Sequence, residues 1–273
     1  MDWRLKALAF RVLDLPGGAH AHYFLQRRVT KNWPRRESTL NALGAIAKRV
    51  LDDYGRHVGG IPASVLEIGA GRDLAVPLAM RRLGVRKVIA SDVTRLAKLD
   101  LVQHAADRLA DKIQLCSWND LEGFGISYRA PHRVRVFDEK VDCSCSNEVL
   151  EHVPLDQLTD LLAALRAVTK GITTHSIDYS DHYARSDRNV SRLNFLKYSD
   201  VEWRPYNSGS QYVNRLRHSD YLRLFRQAGF KILEESSSAG DPPPPDVLDG
   251  LAPQFRQYDP SDLFAVKGRI IAA

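Results

Sequence analysis

The chain of 273 residues is poor in sulfur, with three cysteines and two methionines. Cys116, Cys143 and Cys145 are odd in number and match neither a framework of bridges nor a zinc-knuckle spacing. Disulfide scaffolds and zinc modules are therefore set aside, and a reducing, cytoplasmic setting is expected. Long apolar runs are missing too, and none approaches the ~20 residues of a membrane-spanning helix. Residues 1–28 alternate charge with short apolar groups where a secretory leader would carry one apolar block. The net charge of +6 comes without a lysine block or basic tail; it is spread over arginines such as Arg27, Arg28, Arg35, Arg36, Arg81, Arg82, Arg215 and Arg217. Scattered cations of this kind predict no specific nucleic-acid partner, although an anionic glycan or phosphate could use them singly. No internal repeat is present. The 44% of hydrophobic residues suffices for the core of one large α/β domain.

What is present is organised around Val65-Leu66-Glu67-Ile68-Gly69-Ala70-Gly71-Arg72-Asp73-Leu74. An apolar run holding one acid breaks into G-x-G and continues into a helical pattern, as the first strand of a nucleotide-binding α/β fold does. Gly69 and Gly71 permit a turn that a Cβ would obstruct, so main-chain N–H groups are expected to face a ligand. Val88-Ile89-Ala90-Ser91-Asp92 reads as the second strand, ending in an acid 21 positions after Gly71. A carboxylate there can receive both vicinal hydroxyls of a ribose.

Residues 1–30 read as irregular or short-helical, broken at Pro16-Gly17-Gly18. Leu40, Leu43, Ile46, Ala47, Val50 and Leu51 carry the spacing of an amphipathic helix ending near Gly55. A helical segment over 1–60 is thus expected to pack on a main domain of residues 61–273. A helix over about 73–83 follows the G-x-G, and another covers 96–109. Strand three is Ile113–Cys116 or, preferably, Ile126-Ser127-Tyr128, and Val141–Asn147 is strand four. Cys143 and Cys145 share one face of it. A leucine-rich helix stopping at Gly171 leads to strand five, Ile172–Ile177; a helix from Ser219 to Gly229 leads to strand six, Phe230–Glu235; Leu263–Ile271 is the last strand. Seven strands alternating with helices give a mostly parallel α/β sheet with helices on both faces and an insertion after strand five.

This order resembles the class I, Rossmann-like S-adenosylmethionine-dependent methyltransferases. The residues that carry the resemblance are Glu67-x-Gly69-x-Gly71, Asp92, the run Ser146-Asn147-Glu148-Val149-Leu150-Glu151-His152-Val153, and the helix, Gly229-Phe230 and strand of 219–235. It implies that Glu67 with Gly69, Ala70 and Gly71 holds the amino-acid part of the cofactor and Asp92 its ribose, while Ser146 and Asn147 line the transfer site. With strand three at 126–128, His132 falls where relatives place an acid against adenine; with strand three at 113–116, Asn119 and Asp120 fall there. Arg72 stands where a small residue is common.

After strand five come His175-Ser176-Ile177-Asp178-Tyr179-Ser180-Asp181-His182-Tyr183. A hydroxyl acceptor benefits from a base poised near neutrality, which His182 or His175 can provide, with Asp178 as a further catalytic candidate. Asp178, Asp181 and His182 are alternatively a site for a divalent metal ion that acidifies the hydroxyl. The segment 178–218 is too long for a bare connection, and its Tyr179, Asp181, Trp203, Tyr206, Asn214 and Arg215 suit a cover over a hydroxylated acceptor. The expected activity is O-methylation of a glycan or small hydroxylated metabolite, similar to enzymes of bacterial polysaccharide or secondary-metabolite gene clusters. An RNA methyltransferase, an NAD-dependent dehydrogenase and a non-catalytic cofactor-binding scaffold are the alternatives. The strand-four sequence lacks the Asn/Asp-Pro-Pro-aromatic run used on base nitrogens, and Leu74 stands where a dinucleotide fingerprint needs its third glycine.

Overall fold

The computed structural model describes residues 2–110, 113–132, 139–207 and 209–273, with the side chains of 19, 20 and 210 left out. Seven strands form one sheet: β1 (Ser64–Ile68), β2 (Lys87–Ser91), β3 (Ile126–Arg129), β4 (Val141–Asn147), β5 (Thr169–Asp178), β6 (Ile232–Ala239) and β7 (Ala265–Ala272). Their order is β3-β2-β1-β4-β5-β7-β6. The first five strands run parallel, and β7 lies antiparallel between β5 and β6. This is the mostly parallel α/β sheet read from the sequence, with an antiparallel end. Strand order reverses at β1, so the carboxyl ends of β1, β2 and β4 open on one crevice, where ligands of such sheets bind.

Alternation along the strands builds two cores. Val65, Val88, Cys143, Cys145 and Ile172 face α3 (Glu37–His57), α4 (Ala75–Arg82) and α5 (Leu99–Leu109). Leu66, Ile68, Ile89, Ile177 and Ile270 face α7 (Leu155–Val168) and α9 (His218–Gln227), which contribute Leu158, Leu161, Leu162, Leu165, Tyr221 and Phe225. Between these helices in sequence lie the short α6 (Trp118–Gly123) and α8 (Asp200–Trp203). No described helix is long and apolar enough to cross a membrane.

Several boundaries differ from the sequence reading. Gly171 lies inside β5 rather than stopping α7, because a Cβ there would stand 2.6 Å from the Asp142 carbonyl. Helix α3 runs through Gly55 to His57, and residues 3–28 form two helices, α1 (Trp3–Leu13) and α2 (Gly18–Arg28), broken at the expected Pro-Gly-Gly. The insertion after β5 has a core of its own, shared with the amino terminus. Trp3 and Ala7 of α1 pack with Tyr183, Phe195, Leu196, Trp203, Phe255, Leu263 and Val266. The Trp3 ring centroid lies 4.8 Å from Tyr206 and 5.9 Å from Trp203.

Candidate active site

The G-x-G turn is built as the sequence requires and aimed differently. Gly69 and Gly71 take φ of 76° and 78°, and Leu74 takes 50° immediately before α4. The neighbouring end of β2 captures the loop's N–H groups: Gly69 and Ala70 donate to the Ser91 carbonyl at 2.7 and 3.4 Å, and Gly71 donates to the Asp92 carboxylate at 3.1 Å. The three N–H groups expected to face a ligand are thus engaged by the end of β2.

Asp92 is nearly buried. Its Oδ2 also accepts from the Tyr128 hydroxyl at 3.2 Å, and that hydroxyl in turn accepts from the N–H groups of Leu96 and Ala97. Burial raises the Asp92 carboxyl to about 6 against the lowering effect of Tyr128 and Gly71. Two hydrogen bonds leave acceptor capacity on a carboxylate for two more. Glu67 is buried at the end of β1, and its Oε2 has no hydrogen-bond partner among the described residues. Burial, then the nearby Asp92 and Asp73, push it up to about 8. A bound cationic group would supply both a partner and the missing charge. Asp73, equally buried, is held at 2.9 Å by Arg35, whose guanidinium lies 4.6 Å above the Trp33 ring.

Strand three is Ile126–Arg129, which places His132 beside Asp92. Its N–H donates to the Asp92 carbonyl at 2.9 Å, and Nδ1 lies 3.1 Å from Ser91 Oγ. Asn119 and Asp120 sit in α6, where Asp120 closes a capping box with Ser117. Asn147 ends β4 and lines a small cavity with Glu67, Ser146, Ile46 and Arg49. Ser146 has its hydroxyl engaged by His175 Nδ1 at 2.7 Å.

Across the crevice, the segment after β4 packs against the G-x-G loop. Glu148 takes φ of 53°, and its N–H donates to the Ser176 carbonyl. Residues 150–152 then make a 3-10 turn that points Glu151 inward. Glu151 is buried: Oε1 accepts from the Asp178 N–H at 3.4 Å, while Oε2 has no partner among the described residues. Burial is the main cause that lifts its carboxyl to about 8. His182 is 9% exposed, its Nε2 likewise has no hydrogen-bond partner, and desolvation brings the imidazole down to about 3. The rings of His152 and His182 lie 5.0 Å apart, and Asp178 Oδ2 is 3.7 Å from His182 Nε2.

The residues expected on the acceptor side thus divide. His182 and Asp178 are brought together, and Asp178 is further held by Arg185 and by the Ser180 N–H. His175 is not brought to them. It is fully buried on the α9 side of the sheet, with Nδ1 on Ser146, Nε2 on Thr173 at 2.6 Å and its ring 5.3 Å from Phe225. Both Asp181 oxygens are taken, by the Tyr183 N–H and by Asn194 Nδ2. Tyr179 is buried with its hydroxyl on His218. Trp203 and Tyr206 belong to the satellite core. Asn214 donates to the Leu150 and Val153 carbonyls, and buried Arg215 serves the Phe195 and Tyr198 carbonyls and Asp200. Glu151 is the inward-facing residue that the sequence reading did not select. Its signal was its place in the run after strand four, three residues beyond Glu148.

The methyltransferase-domain family model matches residues 18–235, and the chain belongs to that family. Family and fold together define a class I, S-adenosylmethionine-dependent methyltransferase. No curated protein sequence matches the chain. Among solved structures it is similar to magnesium protoporphyrin IX methyltransferase from Synechocystis PCC 6803 with bound SAH, at 12% identity and a TM-score of 0.52, over 97% of this chain and 98% of that one. It is also similar to 1,6-didemethyltoxoflavin-N1-methyltransferase from Burkholderia thailandensis, at 18% identity and a TM-score of 0.50, over 98% of this chain and 88% of that one. At these identities the likeness is one of fold.

Proposed function

We propose that this methyltransferase moves the methyl of S-adenosylmethionine to a hydroxyl of a small hydroxylated metabolite or glycan. The acceptor oxygen attacks the methyl carbon in line with the departing sulfur, the sulfonium becomes a neutral thioether, and the hydroxyl proton is released. Alignment supplies most of the rate in such a displacement. The Glu67 carboxyl takes the cofactor's ammonium and Asp92 its ribose hydroxyls, with His132 toward the base. Asn147 lies at the end of β4, next to the reacting methyl. Both solved relatives carry S-adenosylhomocysteine (SAH), which supports the cofactor reading.

The observation that carries the reading is the contact between Gly69 and Val149. A Cβ on Gly69 would stand 2.4 Å from Val149 Cγ2, so the loop assigned to the cofactor directly abuts the turn that presents Glu151 and His152. A neutral imidazole beside the transfer point, that of His152, favours an oxygen acceptor, whose proton must leave as the methyl arrives. The sugar-like acceptor rests on the resemblance to enzymes of polysaccharide and secondary-metabolite clusters.

The test incubates the purified chain with methyl-labelled S-adenosylmethionine and separate fractions of glycans, hydroxylated small molecules, amines and RNA. Methyl ethers in the glycan or small-molecule fraction, identified by their O–CH3 resonance, are expected. Label confined to nitrogen or to RNA would overturn the acceptor assignment.

A further inference from the structure

We propose that Glu151, His152 and His182 form a site for one divalent first-row cation of the manganese, cobalt or zinc kind. One ligand atom from each residue lies within 4.8 Å of the other two. Bonds of ~2.1 Å to a common ion need separations of roughly 3–3.5 Å, within reach of side-chain rotation. Two of the three residues carry a buried polar atom with no other use. Glu151 Oε2 and His182 Nε2 are buried and without hydrogen-bond partners among the described residues, on side chains only 3% and 9% exposed. Buried polar atoms are nearly always satisfied, and a cation between these two satisfies both at once.

The third ligand is set up by a hydrogen bond behind it. His152 Nδ1 lies 2.7 Å from the Tyr212 carbonyl, and a carbonyl only accepts. Nδ1 therefore carries the proton and Nε2 keeps its lone pair, the tautomer and orientation of metal-bound imidazoles. Asp178 stands 3.7 Å from His182 Nε2 and Glu148 lies at the rim; Arg185 pairs with both, and Lys6 also acts on His182. Asp181, which the sequence grouped with Asp178 and His182 as ligands, is not among the residues whose ligand atoms converge here, and its oxygens accept from Tyr183 and Asn194. The site moves to Glu151 and His152 instead.

Two imidazoles and one carboxylate leave coordination positions open, and such a set suits borderline first-row ions. The ligand those positions would take is an acceptor hydroxyl or a vicinal pair of them. This catalytic consequence rests on the O-methyl-transfer reading; the binding of the ion does not. In the step, the ion-bound hydroxyl loses its proton to water, its oxygen forms the bond to the methyl carbon, and the carbon–sulfur bond breaks to leave the thioether.

The experiment titrates the full, chelator-stripped chain with Co2+, followed by visible absorption, and with Mn2+, followed by electron paramagnetic resonance. SAH affinity is measured on the same samples. One equivalent should bind, and Glu151→Gln, His182→Ala and His152→Ala should each weaken it at least ~10-fold while SAH affinity stays within about twofold. His104→Ala, which removes an exposed histidine elsewhere, should leave the titration unchanged. His152 is itself exposed, so its variant carries the test if the two buried ones fail to fold. Absence of stoichiometric binding, or equal weakening by His104→Ala, would overturn the site. Loss of SAH binding in the unaltered chain would instead strike the cofactor reading and leave the metal titration readable by itself.

Discussion

The Val149 side chain lies against the bare Cα of Gly69, so the turn after β4 and the turn after β1 meet where glycine leaves room for it. The contact joins the side of the crevice we assign to the cofactor to the side we assign to the acceptor. It also makes Gly69 doubly constrained, by its φ of 76° and by the space Val149 fills.

Gly69→Ala should therefore destabilise the chain by ~1–3 kcal/mol from backbone strain and about as much again from overpacking. Adding Val149→Ala should recover the packing part alone. Urea midpoints of the single and double variants separate the two parts. A neutral Gly69→Ala would mean that the loop is not held as described.

His175 should govern acid stability rather than catalysis. Its folded value near 3 lies below the ordinary 6.5, because burial disfavours the imidazolium. The unfolded chain therefore binds the proton first, so the stabilisation is complete above about pH 6.5 and is lost as pH falls toward 3. Between pH 6.5 and 5 the loss is ~2 kcal/mol at the limiting slope of one proton. Denaturation at both pH values should show a flatter dependence for His175→Gln than for the unaltered chain. An unchanged slope would contradict the sealed placement of the ring.

Trp203 and Arg215 should behave as core residues of the insertion. Trp203→Ala should cost ~3–5 kcal/mol of stability with little effect on SAH affinity in the folded fraction. Arg215→Met leaves the Phe195 and Tyr198 carbonyls without their donor, at ~1–3 kcal/mol for each that stays buried. Chemical denaturation reads both. If instead stability held and only the acceptor's KM rose, these side chains would be lining the acceptor site.

Much of this was legible in the chain itself. The G-x-G after an apolar strand, Asp92 at the end of the next, and the run after strand four depend on local chemistry, and all three stand at adjoining strand ends. The period-two pattern of Cys143 and Cys145 gave one buried face, as found. What escaped the sequence depends on distant partners. Aromatic residues with arginine read alike in a satellite core and over a sugar; distant partners such as Trp3, some 200 positions earlier, help make Trp203 interior. Gly171 reads as a helix stop until the Asp142 carbonyl is seen against it. Glu151 and His152 became recognisable once a left-handed Glu148 and a 3-10 turn had swung them toward His182, a conformation that residue types alone do not specify.

The central claim is tested most directly by calorimetric titration of SAH and NAD into the unaltered chain and into Asp92→Ala. One molecule of SAH should bind the unaltered chain and NAD should not. Asp92→Ala removes two hydrogen bonds to a charged group, each worth ~1.5–3 kcal/mol before water compensates, so affinity should fall at least ~10-fold. Since the Asp92 carboxyl sits near 6 and must be ionised to accept both hydroxyls, SAH binding to the unaltered chain should also weaken as pH drops below about 6, and Asp92→Ala should lose that dependence. SAH binding that is absent from the unaltered chain, or equally tight in Asp92→Ala, would contradict the assignment of this crevice to the cofactor.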